Sequence, residues 1–489
     1  MTAATTHAAE RDGIFVDNAW APSSSASWLD VIDPSTEERV ARVKEPTTDE
    51  VDAAVASARR ALEDPAWAGL SPDARADILE AIADGIDANS AELQALTVAE
   101  VGAPVSVAPF HPGSASWLFR YYAKQARTFS FRDDRAREDG GTTRVLREPV
   151  GVVAAIVPWN GPIIVAALKL APALAAGCTA ILKPAPNTPL ASYRLAEIMA
   201  EAGLPAGVVN VLAADRAVSE YLADHPGIDK VSFTGSAAVG RRLMALCADR
   251  LARVTLELGG KSAAIVADDI ALDAVLPSLI PGGCQSTGQA CVALSRVLVS
   301  EQRHDELVEA MKDAFEAMRL GSAHDPETEM GPLALERQRD RVEGYIELAR
   351  EEGATIVTGG GRPAGLDRGY FVEPTLLTDV DNAMRVAQEE IFGPVISVIR
   401  YKDLDDAVRI ANESPYGLCG SVYTADPERG FEIARRVRTG MITVNSFIID
   451  FNSPFGGYKC SGQGREGGPE GLAEFVEPKT VHMLPTVGA

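Results

Sequence analysis

A thiol and a carboxylate carry the clearest chemistry in this chain. Cys291 closes Gly288-Gln289-Ala290-Cys291, and Glu257 opens Glu257-Leu258-Gly259-Gly260-Lys261. A thiolate is a nucleophile, and a carboxylate shielded from solvent has a raised pKa and takes a proton from water. Two further parts lie upstream of the thiol. Lys230 to Gly240 reads as strand, turn and helix, and the free amides at such a helix start suit a pyrophosphate. Asn160 sits between Pro158 and Pro162, a rigid turn that can aim an amide N–H at a developing oxyanion. Nucleophile, base, phosphate turn and oxyanion donor together point to covalent oxidation of an aldehyde.

Each part also has a plain structural reading. A buried cysteine is commonly a small inert hydrophobe. A glutamate that finishes a strand commonly faces solvent. The Gly235-x4-Gly240 spacing fits any strand-to-helix turn and is not the common dinucleotide fingerprint. Asparagine favours turns for its own backbone reasons. Lys183 ends an apolar strand; it is either solvated or, at the carboxyl edge of a parallel sheet, within reach of a ribose or phosphate.

The bulk numbers narrow the setting. With 489 residues the chain is long enough for two or three domains with large cores. Charged residues are 24% and hydrophobic ones 46%, an ordinary globular balance. A net charge of −23 argues against nucleic acid and against an anionic membrane surface as partners. It leaves an anionic cofactor open, because a helix start binds phosphate locally. The six cysteines show neither a CxxC pair nor a metal-ligand spacing, so a reducing cytoplasm and no metal are expected. Met1 to Asp17 lacks the charged-then-apolar order of a signal peptide. Prolines and Lys169 interrupt the most apolar stretch, Gly151 to Leu182, so it reads as buried strand, turn and helix, not a membrane span.

The elements that must position these groups follow from periodicity. Residues 1–10 read as frayed. Asp49–Leu62 and Pro72–Val101 read as amphipathic helices. From about residue 150, unbroken apolar strands alternate with helices. The strands are 152–157, 179–182, 208–212, 230–233 and 253–258; the helices are 163–176, 191–202, 217–223 and 237–249. Strands without polar alternation imply a parallel sheet covered on both faces, hence a doubly wound α/β fold. The pattern restarts at Ser262–Val266 and Leu272–Ser278, continues through 296–299, 304–319, 337–352, 354–358, 375–377, 395–401 and 404–412, and predicts a second α/β domain. Gly259-Gly260 marks the boundary. Thr128–Glu148 reads as a projecting hairpin around Gly140-Gly141.

Several stretches together resemble the NAD(P)-dependent aldehyde dehydrogenase superfamily, over about residues 12–482. They include Pro158-Trp159-Asn160, Phe233-Thr234-Gly235-Ser236, Glu257 to Lys261 and Gly288 to Cys291. Glu389-Glu390-Ile391-Phe392-Gly393-Pro394, Pro454 to Gly457 and Lys459 to Gly462 complete the set. The resemblance implies a Rossmann-like cofactor domain (1–127 and 149–258), a catalytic domain (259–465) and oligomerisation elements (128–148 and 466–489). It implies Cys291 as nucleophile, passing through a thiohemiacetal and a thioester, with Asn160 and the Cys291 N–H on the oxyanion and Glu257 activating water. Ile156, Trp159, Lys183, Gly235, Ser236, Glu390 and Phe392 would contact the cofactor, and a homodimer or homotetramer would form.

The chain departs from the family pattern at three places. Pro186 stands where many NAD-preferring relatives carry a glutamate, which leaves NADP open; no extra Arg replaces it, so NAD is favoured. Ala213 to Arg216 replaces a Gly-Pro-Gly stretch near the adenine. Gly161 and Leu168 replace two aromatic residues, which widens an apolar funnel flanked by Val165, Ala290, Val292, Phe447 and Phe455. A bulky aromatic or terpenoid aldehyde is the expected substrate. Two rivals are acyl transfer to coenzyme A, whose enzymes usually lack a glutamate at position 257, and a non-catalytic protein on the same scaffold.

Overall fold

The computed structural model describes residues 9–484. The leader reading of Met1 to Asp17 and the last oligomerisation residues fall partly outside that range. Ala9–Arg11, expected to fray, forms a short strand parallel to Glu38–Lys44.

The first large sheet has eight strands. Its parallel centre runs, in spatial order, Arg253–Glu257, Lys230–Thr234, Val152–Ile156, Thr179–Lys183 and Val209–Val211. Successive strand residues serve opposite cores, as the two-residue repeat requires. Val153, Ala155, Ala180 and Leu182 face helices Pro72–Ala88, Phe110–Thr128, Pro162–Ala176 and Leu190–Glu201. Val152, Ala154, Ile156, Val231 and Phe233 face Thr48–Glu63, Arg216–Asp224 and Ala237–Ala248. Two-sided burial is why these strands read as unbroken apolar runs.

The second sheet has seven strands, with Ala263–Val266 central between Arg296–Ser300 and Gly420–Tyr423. Helices cover both faces again, Leu272–Cys284 and His304–Ala317 on one and Glu336–Glu351 and Leu404–Asn412 on the other. The chain passes from one sheet to the other between Glu257 and Ala263, through Gly259-Gly260. It returns at Gly462–Gln463, which pairs antiparallel with Leu256 and Glu257, short of the expected limit at 465. The hairpin Arg132–Ala136 and Thr142–Pro149 pairs with Val476–Met483 in a separate three-stranded sheet.

Two expectations need correction, and one helix was not anticipated. Pro72–Val101 is two helices, because Asn89 ends the first and its Nδ2 donates to the Gly85 carbonyl at 2.8 Å. The helix from Leu272 runs on to Cys284 through Pro277 and Pro281 instead of stopping at Ser278. Phe110–Thr128, whose start is obscured by Pro109 and Pro112, is a full helix at the centre of the first core.

Candidate active site

The parallel sheet delivers the sequence-predicted groups to one edge. Strand register sets Glu257 beside Thr234, Phe233 beside Ile156, and Ile156 beside Lys183. The turns after these strands therefore lie side by side at the carboxyl ends, where open α/β sheets bind ligands. Trp159 and Asn160 follow one strand, Gly235 and Ser236 another.

These residues fit a dinucleotide. Ser236 caps helix Ala237–Ala248, its Oγ accepting from the Val239 N–H at 3.4 Å, so the positive helix end lies at the sheet edge. Gly235 N–H donates to the Glu257 carbonyl at 3.0 Å and fixes the turn. Lys183 is buried. Burial lowers its pKa to about 8, with the Asp215 charge opposing. The Thr234 hydroxyl is buried without a partner, a donor free for a bound group. Across the seam, Phe392 meets Trp159 edge-to-face with ring centroids 5.3 Å apart. The Glu390 carboxylate accepts from the Gly260 N–H at 3.0 Å, and burial raises its pKa to about 7. That carboxylate lies directly against Gly259, where a Cβ would displace it.

The Cys291 thiol follows a strained elbow. Ser286, Thr287 and Gly288 all take left-handed φ values, 49°, 57° and 70°. For the first two this is costly backbone and must be held by surrounding contacts. Thr287 Oγ1 donates to the Gly331 carbonyl at 3.1 Å. The buried Gln289 accepts from Ala334 N–H at 2.9 Å and donates to the Ser286 carbonyl at 3.0 Å. Gly288 lies against the Gly393 carbonyl, where no side chain fits. The Gln289 carbonyl in turn accepts from the Asn160 Nδ2 at 2.8 Å, tying Asn160 to the thiol loop. Gly260 packs on the Cys291 carbonyl.

Electrostatics joins thiol and base. Burial first, then the charges of Glu390 and Glu257, push the Cys291 thiol well above its ordinary range. Glu257 is 2% exposed, and neither carboxylate oxygen has a partner. Burial first, then the like charge of Glu466, raise its pKa, while Lys169 and Arg465 oppose. Lys169 is fully buried; its ammonium donates to Glu466 Oε1 at 2.5 Å and to Ser232 Oγ at 3.3 Å. The sequence reading noticed Lys169 only as an interruption and missed Glu466. A single acid inside Gly462 to Gly468 was the available signal.

The expected funnel residues divide between two cores. Ala290, Val292, Phe447 and Phe455 gather with Cys291 in one apolar cluster. Leu418, Cys419, Met441, Ile449 and Phe451 join them, none of which was expected. Val165 and Leu168 belong to the first-domain core, where Leu168 is 3% exposed. Phe451 packs on both cores and links them. Gly161 is buried, with Val165 as the nearest neighbour to a side chain there. Among the described residues there is no cluster of three or more metal-ligating side chains and no helix long and apolar enough to cross a membrane.

This doubly wound sheet, glycine-joined to a second α/β sheet that carries a half-buried thiol, matches known proteins along nearly its whole length. The model of the aldehyde dehydrogenase family matches residues 20–481, and the chain belongs to that family. It is 46% identical over 472 residues to a geranial dehydrogenase of Castellaniella defragrans, covering 96% of this chain and 98% of the relative. It is 39% identical over 473 residues to a betaine aldehyde dehydrogenase of Rhizobium etli, covering 96% of each. An aldehyde dehydrogenase of Mycobacterium tuberculosis, solved with NAD+, superposes with a TM-score of 0.95 at 43% identity over 99% of both chains.

Proposed function

We propose that this enzyme oxidises a bulky apolar aldehyde, aromatic or terpenoid, to its carboxylic acid with NAD. The observation that carries the reading is the apolar cluster of ring and branched side chains that surrounds Cys291. The likeness to a geranial dehydrogenase supports it, and the NAD+ complex of the Mycobacterium tuberculosis relative supports the cofactor.

In this reading the Cys291 sulfur attacks the carbonyl carbon. The carbonyl oxygen takes the electron pair, and Asn160 Nδ2–H and the Cys291 N–H stabilise it. Bound at the sheet edge, NAD would supply the acceptor for the hydride that leaves that carbon. The resulting Cys291 thioester is opened by water, whose proton goes to Glu257; the C–S bond breaks and the acid departs. Burial and two carboxylates hold the thiol protonated at neutral pH, so its activation needs a proton acceptor nearby. Glu257, whose charge acts on the thiol, is that acceptor, and it passes the thiol proton to solvent before it takes one from water. Lys183, the helix start at Ser236, and Glu390 would hold the dinucleotide, with Trp159 and Phe392 beside it. Ile156 ends the strand beneath.

Steady-state kinetics with geranial, benzaldehyde and betaine aldehyde test the substrate class. A kcat/KM at least tenfold higher for the two apolar substrates is expected; a clear preference for betaine aldehyde ends the proposal. Cys291→Ser should lose oxidation by several orders of magnitude while NAD binding persists. Acyl-CoA formed on adding coenzyme A would favour the transferase rival instead.

A further inference from the structure

Along the cofactor edge of the first sheet the strand ends run Glu257, Thr234, Ile156, Lys183, Val211. The hydride acceptor must stand by Cys291, on which the Glu257 charge acts. The adenosine half of the dinucleotide therefore falls toward the other end of the row, at Lys183 and Val211. Leu212 N–H donates to the Leu182 carbonyl at 3.0 Å, which carries the chain past Lys183. The Lys183 ammonium, 7% exposed, lies 3.5 Å from the Ala214 carbonyl, and Asp215 follows directly.

Asp215 is a fixed carboxylate with no structural duty of its own. It precedes helix Arg216–Asp224 in an extended conformation, yet its side chain does not cap that helix. Its backbone is pinned on both sides. The N–H donates to Glu45 Oε1 at 2.8 Å, and the carbonyl accepts from Ser219 Oγ at 2.7 Å and Ser219 N–H at 3.0 Å. The residue is exposed, and its charge acts on Lys183. An ammonium and a carboxylate side by side match a sugar diol. The ammonium donates to a hydroxyl oxygen, and the carboxylate accepts a hydroxyl hydrogen. Pro186, three residues past Lys183, offers neither. A 2′-phosphate has no such hydrogen to give, and it sets about two negative charges against Asp215 and Glu45.

We propose that Asp215 selects NAD over NADP in this enzyme, its carboxylate accepting the 2′-hydroxyl hydrogen of the adenosine ribose while Lys183 donates to the same sugar. The assignment rests on NAD as the cofactor. Arg216, next in the chain, is the group that a 2′-phosphate would use instead.

Calorimetric titration of the full chain with NAD, NADP and 2′-deoxy-NAD reads the contact without turnover. The parent should bind NAD at least about tenfold tighter than NADP. Asp215→Asn should weaken NAD by about tenfold, the worth of one hydrogen bond to a charged acceptor, and narrow the gap to NADP by more than that. The deoxy analogue lacks the hydroxyl, so it should bind parent and variant within about twofold. Arg216→Ala should leave the preference for NAD in place. A parent that binds NADP as tightly as NAD, or tighter, overturns the cofactor reading and Asp215 with it. A parent that prefers NAD while Asp215→Asn keeps the same ratio overturns Asp215 alone. Equal weakening of NAD and 2′-deoxy-NAD in Asp215→Asn does so too, because it marks a general loss of the site.

Discussion

Asn160 and Gln289, 129 residues apart in sequence, are joined by a hydrogen bond of 2.8 Å from a side-chain amide to a backbone carbonyl. One residue lies in the turn after strand Val152–Ile156 of the first sheet, and the other stands two places before the thiol. The bond fixes the Asn160 amide against the loop that carries Cys291. An amide nitrogen carries two hydrogens, so one stays free for an oxyanion while the other holds the loop.

Asn160→Ala removes that free donor and should lower kcat by about 10²–10³, roughly 2.7–4 kcal/mol of barrier. Cofactor affinity should stay within about twofold, because Asn160 lies on the thiol side of Trp159. Stopped-flow measurement of NADH formation gives the first number and cofactor titration the second. An unchanged kcat would remove Asn160 from the oxyanion role.

Gln289→Met keeps the volume of the side chain but cuts both of its bonds. Ala334 N–H, buried, would lose its acceptor, and the Ser286 carbonyl its donor. A loss of about 1–3 kcal/mol in unfolding free energy is expected from the orphaned amide. Release of the left-handed run should also misplace the thiol, lowering kcat at least tenfold with the KM for NAD little changed. Denaturant melts and steady-state kinetics on one preparation check both.

Much of this site was legible in the sequence, for definite reasons. Glu257 and Lys183 stand out because each ends an apolar strand and is followed by residues that cannot continue it, and Gly235 because it opens the turn after one. Two-sided burial made those strands easy to read. What stayed hidden are contacts set by chain return. Lys169 and Glu466 meet across 297 residues, and nothing local in either segment announces the other. The apolar cluster at Cys291 draws Leu418 and Cys419 from a strand edge and Phe451 from a loop, so no single periodicity marks it. The helix through Pro277 and Pro281 overran its expected end because proline is a local stop signal that tertiary packing can override. Asn89 did the opposite, breaking a helix whose apolar spacing continues past it.

Glu257 makes stability depend on pH. Its folded-state pKa lies well above the ordinary carboxyl value, through burial first and Glu466 second. Between those two pH values the folded chain holds a proton that the unfolded chain has lost, so stability falls as pH rises. Glu257→Gln removes the effect. Its melting temperature should equal that of the parent below pH 4 and exceed it at pH 8. The same variant should give a burst of NADH followed by slow turnover, since thioester hydrolysis loses its base. A melting-temperature gap that grows toward acid would reverse the assigned sign.

Lys169 tests the same carboxylate from behind. Its ammonium lowers the Glu257 pKa and neutralises Glu466 in a site with no exposure. Lys169→Met leaves Glu466 buried and unpaired, which should cost about 3–5 kcal/mol of stability. Adding Glu466→Leu removes the orphaned charge and should recover most of that loss. The two variants also part on catalysis. With Lys169 gone and Glu466 kept, Glu257 holds its proton more tightly, so the acid limb of kcat against pH should move to higher pH. With both gone, the raising effect of Glu466 disappears too, and the limb should shift back toward the parent. A pH profile identical in all three proteins would show that Lys169 and Glu466 brace the fold without touching the base.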